Sequence, residues 1–339
     1  MDCAITAVVV SYASPGAAEQ AVRSLLNQSL APCEVLIVDN DPRGAAARSG
    51  ELAPEVRVIH PGVNLGYTGA ANLAARHARG EWLFFLNPDA TAASDCLERL
   101  LEAVDGPDVA VVGAQVLLPD GRINAGANPI NIAGISWSGS YGRPRESGPA
   151  RDVAAVSGAA LLVRRDWFMN MGGLCPYFFL YVDDTDLAWR VRLGGGRVRY
   201  CPMAVAVHDY EFAKGTRKWF YLERNRTWAL LSNLQLRTLV LLAPVLLATE
   251  AAVLARAARE GWWREKLAAW GSLLLRAPAL IRWRRSVQAH RAVSDGRVLD
   301  LFVGGMETDL LDVPPPSWVN AALERYRRVV LCLLRSPVQ

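Results

Sequence analysis

Short apolar runs of strand length alternate with helix-spaced segments over the first 90 residues. Four such runs are rich in β-branched and aromatic residues, as in strands buried on both faces of a sheet. Between them, residues 17–28 and 72–79 carry the apolar spacing of short helices. The alternation predicts an α/β fold, a Rossmann-like sheet flanked by helices. The predicted strands are residues 5–12, 34–38, 56–60 and 82–86.

The pattern becomes less regular beyond residue 90. Residues 120–150 are rich in Gly, Asn, Ser and Pro and predict a long loop. Strand patterns return at 154–164 and 198–207, and residues 166–173 predict a helix that ends at Gly-Gly. From about residue 219, Leu, Ala, Trp and Arg dominate and long helices are expected. These changes predict a domain over 1–222, a helical region over 223–295 and a tail over 296–339.

The helical region carries a membrane signal of intermediate strength. Residues 239–255 are apolar except at Thr249 and Glu250, but 17 residues are few for a helix that must supply about 20 to cross a bilayer. Residues 256–291 hold nine Lys or Arg against two Glu, a net charge of +7, with four Trp between them. This composition favours helices at an anionic membrane surface. Two alternatives remain open: ordinary helices that pack on the first domain, and a helix that spans the membrane.

The amino-acid composition and the net charge exclude some classes of protein. Of 339 residues, 52% are hydrophobic and 21% are charged, which excludes a disordered chain. The net charge of +4 is too small to indicate nucleic acid as a partner. Six cysteines without a CxxC pair predict reduced thiols, and the N-terminus lacks the basic region of a signal peptide. We therefore expect a cytoplasmic protein.

Acidic and amide residues follow two of the predicted strands directly. In α/β sheets of this kind, ligands bind at the carboxyl ends of the strands. Asp39, with Tyr12 at the end of the neighbouring strand, could accept a hydrogen bond from the imide of uracil or thymine. Asn87-Pro88-Asp89 could place a carboxylate on a Mg²⁺ or Mn²⁺ ion that bridges a diphosphate. Plain turn or helix-capping roles remain open for both.

Three further features carry possible chemistry. Residues 64–72, which include Asn64 and Gly66, form a glycine-rich turn that opens a helix, a setting that suits a diphosphate. Residues 183–186 contain three aspartates, and such crowding raises carboxyl pKa values, as a general base requires. A helix N-terminus rich in Asp is the alternative explanation. His208 follows a strand and matters only if Asp89 lies close to it.

Together these segments resemble the family-two inverting glycosyltransferases of the GT-A fold. The resemblance covers about residues 4–230 and extends to a subgroup of rhamnosyltransferases. Its motifs are VVVSY, EVLIVDN, NLGYTGAAN, WLFFLNPDA, YFFLYVDDTDLAWR and PMAVAVH. The chain departs from the family pattern at Asn87, where an acid is usual, at Asp183, where Glu is usual, and at Cys175-Pro176, which replaces an acidic pair.

The resemblance implies transfer of a sugar from a nucleotide diphosphate with inversion. It makes Asp184 the catalytic base and assigns Asp89 and His208 to a divalent cation, Mg²⁺ or Mn²⁺. The residues that would contact the donor or the acceptor are Tyr12, Asp39, Asn64, Gly66, Asn87, Asp183 and Arg190.

The expected activity is that of a hexosyltransferase in cell-wall or surface-polysaccharide synthesis. L-rhamnose from dTDP-rhamnose is the expected donor sugar, and a lipid-linked saccharide at the inner face of the membrane is the expected acceptor. Transfer to polyprenyl phosphate or to a natural product is an alternative. A non-catalytic sugar- or lipid-binding protein is another. A nucleotidyltransferase is disfavoured because residues 11–16 lack the basic, glycine-rich loop of that class.

Overall fold

The computed structural model describes residues 4–13, 15–44, 53–208, 215–306 and 315–335. The chain forms two compact units. The sheet unit comprises Met1–Asn128, Ser138–Val191 and Gly196–Tyr210, and the helical unit comprises Pro129–Trp137, Arg192–Gly195 and Glu211–Gln339. The division at residues 222 and 295 expected from composition stays a prediction.

The sheet unit alternates strands and helices over its first half, as the apolar pattern predicts, and becomes irregular afterwards. Its strands are β1 (Ile5–Ser11), β2 (Glu34–Asp39), β3 (Val56–Ile59), β4 (Trp82–Leu86), β5 (Ala90–Ala92), β6 (Val109–Leu117), β7 (Ile123–Ala125), β8 (Ala127–Asn128), β9 (Arg151–Asp152), β10 (Ala155–Val156), β11 (Ala160–Arg164) and β12 (Arg197–His208). Its helices are α1 (Pro15–Leu26), α2 (Gly66–His77), α3 (Cys96–Glu102), α4 (Arg165–Asn170) and α5 (Asp183–Leu193).

The main sheet has the strand order β3-β2-β1-β4-β11-β6-β12-β5. The first four strands are parallel, β11 runs antiparallel to both of its neighbours, and β12 is again parallel to β6. Two short strands join this sheet outside that order: β7 pairs with β6, and β9 pairs with β12. β8 and β10 form a second sheet of two strands. The prediction of a mixed α/β sheet flanked by helices, followed by helices, is confirmed.

Burial on both faces explains why the central strands consist of apolar runs. Val9 of β1, Ile37 of β2 and Phe84 of β4 are buried in one core with Leu25 of α1, and Leu36, which points to the other face of β2, is also buried. Strand register then fixes where the chain leaves the sheet. Ser11 pairs with Asp39. The carboxyl ends of β1 and β2 therefore lie side by side, with Tyr12 and the residues after Asp39 at the same edge.

Three details of the sheet unit differ from the sequence expectations. Helix α2 begins at Gly66, six residues before the predicted start, and takes in much of the glycine-rich turn. Strand β12 shifts register between Cys201 and Val205, around Pro202, because proline has no N–H for the ladder. Cys33 is disulfide-bonded, which corrects the expectation of reduced thiols at that position. Cys96, Cys175, Cys201 and Cys332 are thiols that are not part of a disulfide.

The helical unit consists of α6 (Arg217–Asn233), α7 (Leu236–Glu260), α8 (Trp263–Leu275), α9 (Ala277–Ala289), α10 (Asp295–Leu299) and α11 (Ser317–Arg335). The apolar run at 239–255 lies inside α7, which ends at Gly261 in a left-handed conformation. Helix α11 was not expected from the sequence. By length and hydropathy, α7 is the one helix of the described residues that qualifies as a possible membrane span.

Candidate active site

The end of strand β2 is tied to the glycine-rich turn by one buried amide, that of Asn40. Its Nδ2 donates to Asn64 Oδ1 at 3.0 Å and to the Gly66 carbonyl at 3.1 Å, and its Oδ1 accepts from Leu65 N at 2.9 Å. The buried side chain of Asp39 comes immediately before it. The amide network therefore holds the predicted base-binding carboxylate and the predicted diphosphate turn in one arrangement.

The turn is in contact with the aromatic segment that precedes α5. Gly66 has a φ of +69°, and a Cβ atom there would lie 2.5 Å from the Phe179 carbonyl oxygen. Thr68 N donates to the same oxygen at 3.2 Å. Only glycine combines this left-handed backbone with so close an approach.

The segment before α5 is strained. Phe179, Tyr181 and Val182 have φ values of 70°, 68° and 65°. The left-handed region is unfavourable for residues with a Cβ and most of all for β-branched valine. Three such residues within four positions persist only where surrounding contacts hold them, and such strain clusters at functional sites. Asp183 and Asp184 follow directly, in the first turn of α5.

The two adjacent aspartates have different surroundings. Asp184 Oδ2 accepts from Gly158 N at 2.8 Å, and its Oδ1 accepts from Thr185 N at 2.6 Å. Burial raises the pKa of Asp184, while these hydrogen bonds stabilise its ionised form. Burial and the neighbouring Asp184 charge raise the pKa of Asp183 to about 8. Within the pair, the hydrogen bonds from the backbone N–H groups of Gly158 and Thr185 favour the negative charge on Asp184.

Asn87, Asp89 and His208 meet at a neighbouring edge of the sheet. His208 Nε2 lies 2.9 Å from Asp89 Oδ1 and 3.4 Å from Asn87 Nδ2. His208 ends β12 and pairs with Ala90 at the start of β5, which explains how residues 119 positions apart come together. The condition expected for a role of His208, that Asp89 lies close to it, is therefore met. No cluster of three or more His, Cys, Asp or Glu that could hold a metal occurs among the described residues.

This pair fits a hard divalent cation that takes the rest of its ligands from a substrate. One carboxylate oxygen and one imidazole nitrogen are ligands that Mn²⁺ accepts, and Mg²⁺ and Mn²⁺ sites commonly use few protein carboxylates together with phosphate oxygens. The Asp89 side chain is 35% exposed, so a phosphate could reach it.

The main chain connects this pair to the aspartates of α5. Asn87 N donates to the Ala159 carbonyl at 2.9 Å, and Gly158, the preceding residue, donates to Asp184. The strand that begins at Ala160 is hydrogen-bonded along β4. The candidate metal pair and the candidate base are thus two hydrogen bonds apart.

Arg190 and Tyr12 have contrasting positions. The Arg190 guanidinium is buried; it pairs with Asp186 at 2.8 Å and donates to the carbonyls of Met171 and Gly173 at 2.8 Å each. These contacts favour a structural role, in which Arg190 holds α5 against the Gly-Gly turn. Tyr12 is 54% exposed at the strand edge next to Asp39, where a ligand could stack on it.

Sequence reasoning missed Tyr67 as a residue of the site. Tyr67 lies in the glycine-rich turn, and burial together with the charges of Asp183 and Asp184 raises the pKa of its phenol well above the usual value. The tyrosine is therefore close to both aspartates. Its position inside the quoted motif was a signal, but nothing in the sequence places the turn against α5.

The comparisons with known proteins concern the family and the fold. Residues 6–172 match the model "Glycosyl transferase family 2". Residues 6–172 thus belong to glycosyltransferase family 2, and the protein is a transferase enzyme. The match ends before Asp184 and His208, so it does not itself assign roles to them.

Among curated proteins, the chain is 27% identical over 322 residues to an N-acetylglucosaminyl-diphospho-decaprenol L-rhamnosyltransferase of Mycobacterium tuberculosis, covering 86% of this chain and 97% of the relative. It is 29% identical over 195 residues to an O-antigen biosynthesis protein of Myxococcus xanthus, covering 52% of this chain and 15% of the relative.

A solved structure with the same fold is a Pyrobaculum calidifontis mannosyltransferase in complex with GDP-Man and Mn²⁺. It has a TM-score of 0.51 at 19% identity, and the match covers 84% of this chain and 85% of that chain. GalNAc-T7 with UDP, GalNAc and Mn²⁺ has a TM-score of 0.53 at 12% identity, and the match covers 68% of this chain and about half of that one, 48%. Both likenesses show the fold, and the expected GT-A fold is confirmed.

Proposed function

We propose that this protein transfers L-rhamnose from dTDP-L-rhamnose to a saccharide acceptor carried on a lipid diphosphate. The product would serve cell-wall or surface-polysaccharide synthesis. The support for this sugar and this acceptor is the likeness to the mycobacterial rhamnosyltransferase, which extends over nearly the whole of that relative. The relative is named for a diphospho-decaprenol acceptor that carries N-acetylglucosamine.

One observation carries the enzymatic part of the proposal. Two sets of short hydrogen bonds tie together segments that are far apart in sequence. Asn40 joins the end of β2 to the glycine-rich turn, Asn87 bonds to the Ala159 carbonyl, and Gly158 bonds to Asp184. A donor-binding edge and a buried carboxylate in this arrangement are what a displacement at an anomeric carbon requires.

On the donor side, Asp39 would accept a hydrogen bond from the thymine imide while Tyr12 stacks on the base. Asn64 and Gly66 would place the start of α2 against the diphosphate, where the helix N-terminus favours negative charge. Asp89 and His208, with Asn87 beside them, would hold Mg²⁺ or Mn²⁺. When bound, the cation supplies positive charge that stabilises the departing diphosphate.

On the acceptor side, Asp184 would be the catalytic base. Its carboxylate takes the proton of the acceptor hydroxyl as that oxygen attacks the anomeric carbon. The bond from this carbon to the diphosphate oxygen breaks, its electron pair leaves with dTDP, and the configuration inverts because attack comes from the opposite face. Asp183, which holds a proton at neutral pH, would donate a hydrogen bond to the acceptor. We propose Arg190 as a positioning residue for α5.

The enzyme would work at the inner face of the cytoplasmic membrane, as a peripheral protein. A lipid-linked acceptor is confined to that surface, and the basic, tryptophan-containing segment at 256–291 suits anionic lipids. Its partners would be the nucleotide sugar, the acceptor and the membrane surface, with no nucleic acid.

Calorimetric titration with dTDP, UDP and GDP, with and without Mn²⁺, tests the donor site. We expect Mn²⁺-dependent binding of dTDP, weakened about tenfold or more by Asp89→Ala. Asp95→Ala, which removes an exposed acid that pairs with Arg99, is the matched control. Folded protein that binds none of the three nucleotides would refute the donor site and favour a non-catalytic sugar- or lipid-binding protein.

Transfer from dTDP-rhamnose to a polyprenyl-diphosphate-linked N-acetylglucosamine then tests the sugar and the acceptor. Release of dTDP with rhamnosylated lipid supports the proposal. Nucleotide binding combined with transfer only to polyprenyl phosphate or to a soluble acceptor would contradict the acceptor assignment and leave the glycosyltransferase class intact.

A further inference from the structure

Helix α7 turns apolar residues towards solvent along most of its length, the reverse of the usual arrangement in a soluble protein. Between residues 240 and 258, every exposed position is apolar, and these positions recur every three or four residues on one face. This outer stripe is about 27 Å long at 1.5 Å per residue. It consists of Val240, Pro244, Leu247, Ala248, Ala251, Ala252, Ala255 and Ala258.

The acidic side chain of the same helix faces the protein. Glu250 is bound by Arg226 of α6 and by Lys266 and Trp270 of α8, the last two at 2.7 Å. Glu223 of α6 completes the group, since both cations also contact it. The two acids and two bases compensate one another inside the helical unit. The apolar character of the outer stripe is therefore not interrupted by Glu250.

The basic residues of the segment 256–291 divide into two sets. Four of them bind groups of the protein. Arg256 binds Glu260, and Lys266 binds Glu223 and Glu250. Arg284 donates to the carbonyls of Leu231 and Leu234, and Arg291 binds Asp295. The other five are exposed, as are apolar side chains of α8. The exposed residues are Arg259, Arg264, Arg276, Arg282 and Arg285, with Trp263, Leu267, Leu274 and Leu275.

We propose that the outer stripe of α7 inserts into one leaflet of an anionic bilayer, with the helix parallel to the membrane plane. This inference rests on the proposed membrane location and adds the surface and its orientation. A bilayer fits better than a protein partner because the stripe is long, apolar and featureless, while the exposed arginines of α7–α9 can meet lipid phosphates.

The in-plane orientation follows from what covers the inner face of α7. Thr238, Leu242 and Val245 in the first half and Ala257 near the end are buried, and Glu250 between them is bound by α6 and α8, so packing reaches both ends of the helix. Helix α11 is part of this contact, since Tyr326 Oη donates to the Leu241 carbonyl at 2.6 Å. A transbilayer α7 would bring the charged residues of α11 into the hydrocarbon, which is costly. A helix in the plane exposes only the outer stripe to lipid.

Vesicle co-sedimentation tests the surface, with vesicles of phosphatidylglycerol and phosphatidylcholine. Leu247 and Val240 are 71% and 65% exposed, so Leu247→Glu and Val240→Glu disturb no core. Each should weaken vesicle binding about tenfold or more, because a charge must enter the apolar layer. Leu30→Glu, at a 36% exposed leucine of the sheet unit, is the matched control and should bind like wild type.

Two results would overturn the inference. One is unchanged vesicle binding by both α7 variants. The other is a wild-type dimer that these variants dissociate without any change in vesicle binding, since a second copy of the chain would then cover the stripe. Calorimetry with dTDP on each variant reports separately on the donor site, so failure of this inference and failure of the proposed function are distinguishable.

Labelling tests the orientation. Gln235→Cys and Glu260→Cys place thiols at the two ends of α7, at exposed positions away from the outer stripe, on a Cys332→Ser background that removes an exposed thiol. With protein bound to the outside of sealed vesicles, both thiols should react with a membrane-impermeant maleimide added outside. Protection of one end that only permeabilisation removes would show a spanning helix and overturn the in-plane arrangement.

Discussion

Replacement of Asp183 by Asn should make the sheet unit less sensitive to pH. Burial and the Asp184 charge raise the pKa of Asp183 to about 8 in the folded protein, whereas an unfolded aspartate titrates near 3.9. Between these values the folded state retains a proton that the unfolded state has lost. The stability of the wild type therefore falls as pH rises through this window, by about 1.4 kcal/mol for each pH unit.

From pH 5 to pH 7, both inside the window, the wild type should lose about 2.7 kcal/mol through this residue. Asp183→Asn carries no titrating carboxyl there, so its stability relative to wild type should rise by about the same amount. Urea unfolding of both proteins at pH 5, 6 and 7 measures the difference.

Asp120→Asn is the control for this experiment. Arg122 lowers the pKa of the exposed Asp120 carboxyl, so its contribution is complete above the unfolded pKa and is lost only at lower pH. Its difference from wild type should stay constant from pH 5 to pH 7. If Asp183→Asn and wild type change in parallel over this range, Asp183 is ionised in the folded protein and its proposed hydrogen bond to the acceptor fails.

Three further outcomes are expected. Asp184→Asn should lower sugar transfer about 10²- to 10⁴-fold with dTDP binding by calorimetry unchanged, as loss of a base requires; equal loss of binding would contradict that role. Gly66→Ala should lower the free energy of unfolding by about 1–3 kcal/mol, because the new Cβ meets the Phe179 carbonyl at a φ of +69°. The control, Gly121→Ala, has only the cost of a left-handed backbone. Equal effects of the two variants in urea unfolding would contradict the close approach at Gly66. Glu250→Ala should destabilise the helical unit by about 3–5 kcal/mol, because the buried Lys266 ammonium loses one of its two carboxylate partners. Glu250→Gln should destabilise it by less. A melting temperature unchanged from wild type would exclude the buried charge cluster.

The sequence predicts the sheet well where strands are buried on both faces. The apolar runs of β1, β2 and β4 are continuous, so their existence and ends are visible without the structure. Helix α2 was placed too late because Gly66 and Gly69 weaken a helical pattern that tertiary contacts with Phe179 restore. Helix α11 was missed although Leu323, Tyr326 and Val330 follow one another at helical spacing, because residues 296–339 were treated as a tail; Tyr326 packs it on α7.

The candidate site is only partly visible in the sequence. Asp39 and Asp89 stand out because they end apolar strands, and the aspartates of α5 stand out because they are crowded. The structural contacts of Arg190 are not visible, because its three partners lie on α5 and on a turn nearly 20 residues upstream. Asn40 was passed over as a turn residue, since only the folded loop shows that its amide joins β2 to the glycine-rich turn.

The hydrogen bonds that run from Asn87 to Ala159 and from Gly158 to Asp184 have a consequence for how such an enzyme can diversify. At three of their four ends these bonds use main-chain atoms, which every amino acid supplies. The spacing between the metal pair and the base is therefore insensitive to most side-chain replacement nearby. Side chains that face the ligands could therefore change while this spacing is retained. Mutations could then change which acceptor the enzyme uses without removing its ability to catalyse the transfer.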